Sequence, residues 1–141
     1  MTQYVVDTSV AVPLLVASHE AHDIVRAWAQ GKTLGIAGHA LVETYSVLTR
    51  LPGDARVTAP DAVRLIDENF HAPVGLSPDQ AGQVHGLLAP LGITGGATYD
   101  GLVALAAKEH DAVLVTRDAR ARGTYEAVGA RVAIIVASQE K

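Results

Sequence analysis

The chain has 141 residues, 49% hydrophobic and 18% charged, the proportions of one folded domain and not of a disordered segment or a multidomain protein. It contains no cysteine, which excludes thiol catalysis, Cys-ligated zinc and iron–sulfur clusters, and a chain this long buries roughly 70% of its unfolded surface without such staples. Eleven Lys and Arg against 15 Asp and Glu give a formal charge of −4, so bulk electrostatics do not draw it to nucleic acid.

The opening MTQYVVD lacks a basic segment, and the uncharged run Thr8 to Ser18 is too short to span a bilayer and contains Pro13. A cytoplasmic protein with neither signal peptide nor membrane anchor is expected. Tyr4-Val5-Val6 reads as a short buried strand that stops at Asp7-Thr8-Ser9. Val10 to Ala17 is expected to be helical, with an irregular start or a bend at Pro13. Ala21, Ile24, Val25 and Trp28 share one face of an amphipathic helix over His19 to Gln30. Thr33 to Ala37 reads as a second strand, followed by a helix carrying Ala40, Leu41, Tyr45 and Leu48 up to Pro52-Gly53.

Thr58 with Asp61 is a capping pattern that opens a helix through Phe70, and Ser77-Pro78-Asp79-Gln80 repeats the logic before Ala81, Val84, Leu88 and Leu91. Pro73 to Leu76, between them, is a predicted strand. After Gly95-Gly96 come a helix over Thr98 to Glu109, a strand over Ala112 to Thr116 and a last strand over Arg131 to Val136. Short apolar strands alternating with helices predict a single α/β domain over 1–141. Its parallel sheet of about five strands carries helices on both faces.

In such a sheet ligands bind beyond the carboxyl ends of the strands. Asp7 and Asp118 each follow a strand there. Glu43 lies on the helix side that carries Ala40 and Val47, and Asp100 on the side that carries Val103, Ala104 and Ala107. Singly, each has an ordinary role: a loop or N-cap aspartate, an edge glutamate bending outward, a first-turn acid favoured by the helix dipole. Four carboxylates that could lean over one strand end form a set of hard oxygen donors suited to Mg²⁺ or Mn²⁺. Such a site activates water and neutralises charge on a scissile phosphate.

The segments V-V-D-T-S-V, A-L-V-E-T-Y-S-V-L, T-Y-D-G-L-V-A-L-A-A and V-L-V-T-R-D follow one another in order over nearly the whole chain. Through them the sequence resembles a PIN-domain ribonuclease of the VapC toxin type. The resemblance implies a metal site made by Asp7, Glu43, Asp100 and Asp118, with Thr116 orienting Asp118 or water. It implies an RNA-cleaving toxin that uses Mg²⁺ or Mn²⁺, is held by a cognate antitoxin and forms a homodimer. Some members carry a further acid after the fourth, where this chain continues Ala119-Arg120-Ala121-Arg122. Arg117, Arg120 and Arg122 are therefore candidate phosphate contacts or plain solvated charges.

The histidines show no ligand pattern; His39, one turn before Glu43, is expected at the surface or in a cap. Leu14, Leu15, Val16, Ile24, Val25 and Trp28 are many large apolar groups for two short helices, and such a patch marks an interface unless all are core. The resemblance implies that an antitoxin segment lies along them. Two other functions fit an acidic pocket: a PIN nuclease of RNA maturation without an antitoxin, and a non-catalytic receiver-like module. The receiver reading lacks adjacent acids at Asp7 and a lysine after the last strand.

Overall fold

The structure, a computed structural model, describes residues 2–71 and 73–136. Met1, Ala72 and residues 137–141, which the single-domain expectation includes, lie outside the described residues. Five strands, β1 (Tyr4–Val6), β2 (Leu34–Ala37), β3 (Pro73–Val74), β4 (Val113–Thr116) and β5 (Arg131–Ile134), form one parallel sheet in the order β3-β2-β1-β4-β5. Successive strand residues face opposite sides, so a central strand with no exposed residue is covered on both. Val5 and Val6, Ile36 and Ala37, and Leu114 and Val115 are all fully buried, which is why these segments are apolar without alternation.

Among the described residues eight α-helices connect and cover the strands: α1 (Thr8–Leu15), α2 (His22–Ala29), α3 (His39–Thr49), α4 (Ala59–Asn69), α5 (Pro78–Ala81), α6 (Val84–Leu88), α7 (Ala97–Glu109) and α8 (Ala119–Val128). Thr58 and Ser77 cap α4 and α5 as their spacing predicts, accepting from the N–H groups of Asp61 at 3.3 Å and Gln80 at 3.2 Å. None of the described helices is long and apolar enough to cross a membrane.

Several local expectations change; the helix expected over His19 to Gln30, for one, runs only over His22–Ala29. The first helix begins at Thr8, two residues early, so Pro13 stands inside it. Proline has no N–H to give the Ser9 carbonyl four residues back, and Arg117 Nη1 donates to that oxygen at 3.3 Å instead. The single helix expected from Ala81 to Leu91 is split after α5. Gly82 is a poor helix former, and the Gln83 N–H turns back to the Gln80 carbonyl at 3.0 Å. The strands Pro73–Leu76 and Arg131–Val136 stop two residues early, at Val74 and Ile134, where pairing with β2 and β4 ends.

Helix α8 is an addition. Its signal is Ala121, Tyr125 and Val128 at helical spacing, all buried, with Gly129 at φ 103° ending the helix.

Helices α1 and α2 divide their apolar residues. Val25 and Leu14 are core, while Leu15, Val16, Ile24 and Trp28 are half-buried against it. Trp28 packs edge-on to Tyr4 and lies under the Lys32 ammonium. The exposed large apolar side chains of this region stand on α3 and α4, at Val42, Tyr45 and Val63.

Candidate active site

Strand order reverses direction between β1 and β4, which opens a crevice at their carboxyl ends. Asp7 follows β1 directly, and its N–H donates to the Val115 carbonyl at 3.2 Å, tying the two strand ends together. It occupies the N-cap position of α1, but its carboxylate makes no capping bond to that helix's backbone. The carboxylate turns instead to two hydroxyls: Ser9 Oγ donates to Oδ1 at 2.6 Å and Tyr125 Oη donates to Oδ2 at 2.7 Å.

Ser9 is a junction. Its Oγ also accepts from the Arg117 N–H at 2.8 Å and lies 3.2 Å from Thr116 Oγ1. Thr116, fully buried, accepts from the Asp118 N–H at 3.0 Å and so fixes the turn that presents Asp118. Asp118 caps α8, with Oδ1 accepting from the Arg120 N–H at 2.9 Å. That cap leaves its other carboxylate oxygen for the crevice.

The remaining acids arrive on helices. Gly38 leaves β2 with φ 43°, a conformation suited to glycine, and a Cβ there would meet Ala106 Cβ of α7 at 3.4 Å. This close approach sets the start of α3 beside α7, so that Glu43 and Asp100 reach the same space as Asp7. Glu43 is exposed, yet Oε1 accepts from Thr8 Oγ1 at 2.8 Å and the side chain is held over the crevice. Asp7, Glu43, Asp100 and Asp118 together line a cavity of about 220 Å³, closed by Thr8, Ser9, Val103 and Tyr125. Larger hollows, among them one of about 390 Å³ beside Arg26 and Lys32 and one of about 600 Å³ between Ile24 and Ile135, gather no set of acids.

The electrostatics follow from this crowding. Burial pushes the Asp7 carboxyl above its ordinary range, and the hydroxyls of Ser9 and Tyr125 act against that rise by bonding the charged form. Asp100 is also raised, first by burial and then by the charges of Asp118, Asp7 and Glu43; only His39 favours its ionised form. Tyr125 is driven upward by burial and by Asp7, so it stays a phenol and a donor.

Four acids that repel one another with only oxygen donors around them are the chemistry that a hard divalent cation relieves. As they stand, no group of three His, Asp or Glu side chains among the described residues is placed to hold an ion together. The chemistry of the donor set, four carboxylates crowded on one cavity, still fits such a cation.

Sequence reasoning missed Tyr125, Ser9 and Thr8. Ser9 and Thr8 adjoin the first acid and were visible as hydroxyls, but Tyr125 lies 118 residues from its partner and only packing reveals the pair. The arginines after β4 differ in their surroundings. Arg117 is bound to α1 through Ser9, Arg122 Nε pairs with Glu126 at 2.9 Å, and the side chain of Arg120 is 96% exposed, 3.7 Å from Asp118.

Comparison with known proteins gives the family. Residues 4–127 match the PIN domain. The chain is 56% identical to ribonuclease VapC27 of Mycobacterium tuberculosis over 129 residues, 92% of this chain and 94% of that protein. It is 44% identical to ribonuclease VapC40 of the same species over 133 residues, 92% of this chain and 96% of the relative. The fold is that of VapBC2 from Rickettsia felis, solved bound to a DNA fragment from its promoter. That likeness has a TM-score of 0.65 at 15% identity and covers 94% of this chain and 98% of the other. With its four acids carried on the matched segment and a domain-long likeness to VapC proteins, this chain belongs to the PIN-domain family, in its VapC group.

Proposed function

We propose that the protein is a divalent-metal-dependent endoribonuclease and the toxin of a toxin–antitoxin pair, and that the whole chain forms one PIN domain. The convergence of Asp7, Glu43, Asp100 and Asp118, from four separate elements, on one cavity at the carboxyl end of the sheet carries the reading. The names of the two M. tuberculosis relatives, both ribonucleases, agree with it. A VapBC assembly of the same fold supports a partner protein, and we take that partner to be a cognate antitoxin, with a toxin homodimer as the active assembly in the cytoplasm.

The four carboxylates would hold Mg²⁺ or Mn²⁺, which when bound supplies an acidified water and charge neutralisation at a phosphate. Asp7 is the fixed member, since both its oxygens accept from the chain and its position is set by Ser9 and Tyr125. Asp118 is positioned through its backbone by Thr116, and Glu43 through Thr8. Asp100 holds no hydrogen bond of its own among the described residues, and the crowding by Asp118, Asp7 and Glu43 that helps raise its carboxyl is what a bound cation would relieve. Arg120, 96% exposed and in only a long 3.7 Å pair with Asp118, is the arginine placed to contact RNA phosphate there, while Arg117 and Arg122 make closer contacts within the fold.

The test is cleavage of RNA with Mg²⁺ or Mn²⁺ and with excess EDTA, for the wild type and Asp100→Asn. Cleavage that requires the metal and falls about 100-fold or more in the folded variant supports the mechanism. Equal cleavage in EDTA refutes it.

A further inference from the structure

His39 and Tyr99 stack on each other where α3 and α7 begin, with ring centroids 4.9 Å apart and planes 28° from parallel; neither ring lines the acidic cavity itself, but His39 is near enough to Asp100 to favour its ionised form. His39 opens α3 one turn before Glu43, and Tyr99 lies in the first turn of α7 immediately before Asp100. Both of those acids line the cavity. Tyr99 is nevertheless 56% exposed. A ring that only pinned α3 to α7 would be expected to bury itself between them, and Gly38 against Ala106 already makes that close contact. Among the described residues neither the Tyr99 hydroxyl nor the His39 ring nitrogens have a hydrogen-bond partner, so their polar atoms are not committed within the fold.

A rigid pair of aromatic rings with one side in water suits a flat, stacking partner. The surroundings select among such partners. The cavity is lined by four acids in a chain of charge −4, so an RNA reaching it gains nothing from long-range attraction. Stacking of a base on an aromatic ring needs no charge and accepts every base, because each has a π-face. A base inside a duplex has both faces covered by its neighbours; only an unpaired base can use the platform.

We propose that the stacked His39–Tyr99 pair is a nucleobase-binding platform that takes one unpaired base of the RNA beside the acidic cavity and thereby positions the strand for cleavage. This rests on the ribonuclease reading above and adds to it a binding subsite and a required substrate conformation. The pair are binding residues and take no part in the chemistry.

The test uses the full chain with Mn²⁺ and a single-stranded RNA oligonucleotide, chosen from a mixed-sequence set because the wild type cuts it. 5-Iodouridine is placed at one position after another; light joins such a base to an aromatic ring stacked on it, and mass spectrometry identifies the residue. The expected cross-link joins one nucleotide near the cut to Tyr99 or His39. Tyr99→Ala is expected to raise KM about 5- to 150-fold with a smaller change in kcat, and Tyr99→Phe to restore KM. An abasic nucleotide at the cross-linked position should raise KM similarly for the wild type and add little in Tyr99→Ala.

If Tyr99→Ala does not fold, His39→Ala and the wild-type cross-link decide. Cross-links that map to neither ring, or an unchanged KM in the folded Ala variant, overturn the platform and leave the ribonuclease reading standing. A folded wild type that cuts no RNA with metal present removes that reading and the platform with it.

Discussion

Tyr125→Phe removes one oxygen and leaves the ring, so it isolates the bond from Tyr125 Oη to Asp7 Oδ2. Both partners are buried, Tyr125 at 2% exposure and Asp7 at 5%, and the bond is 2.7 Å long. A hydrogen bond to a charged group contributes about 1.5–3 kcal/mol. At about 2.1 cal/mol/K of unfolding entropy per residue, 141 residues lose roughly 3 °C of Tm per kcal/mol, so a drop of about 5–10 °C is expected at neutral pH.

The sign of the pH dependence gives a second readout. The phenol bonds the carboxylate and so opposes the burial that raises Asp7. In Tyr125→Phe the Asp7 carboxyl rises further, and the folded variant holds its proton more strongly than the folded wild type does. The gap in stability is therefore full above both carboxyl values and narrows as pH falls through them. Urea titrations at several pH values, without metal, measure it. A loss below about 0.5 kcal/mol, or one that stays constant as Asp7 is protonated, refutes the reasoning.

The other predictions concern single groups. Asp100→Asn should raise the metal-free Tm at neutral pH, because burial and three neighbouring acids raise the Asp100 carboxyl and penalise its charge in the fold; the penalty is absent below the ordinary carboxyl range and grows as pH rises through the folded value, so a Tm gain that persists at low pH contradicts it. Thr44→Val should stabilise by about 1 kcal/mol in denaturant titration, since Thr44 is fully buried and its hydroxyl has no partner among the described residues; a loss would mean that the hydroxyl has a partner. Ser9→Ala should cost about 1–3 kcal/mol, because Asp7, Thr116 and the Arg117 N–H share that one hydroxyl, and a Tm unchanged by calorimetry contradicts it. Arg120→Ala should raise KM for RNA and lower its salt dependence by up to about one unit of slope, while Arg122→Ala, already paired with Glu126, should change both less; equal effects would deny the distinction.

The sequence by itself determined the layer architecture and the acid set. Apolar strands without alternation can be satisfied only by burial on both faces, and the helical spacing and caps between them then dictate parallel crossovers. Asp7 and Asp118 were legible because a charge directly after a buried strand stands at the strand's carboxyl end. Glu43 and Asp100 were legible as carboxylates beside apolar stripes. Tertiary structure alone decided how the acids are held and what surrounds them.

Tyr125 and Asp7 pair across 118 residues, and His39 and Tyr99 across 60. Periodicity reports which face of an element is buried and says nothing of which element it meets. The same limit explains the arginines. Three similar charges in a six-residue stretch have different surroundings because the helix turn sends Arg122 to Glu126, Pro13 frees a carbonyl for Arg117, and Arg120 is left the most exposed of the three. Local sequence sets each residue's options; the packing of α1, α7 and α8 around the strand ends chooses among them, because a buried polar group must find its partner wherever the fold brings one.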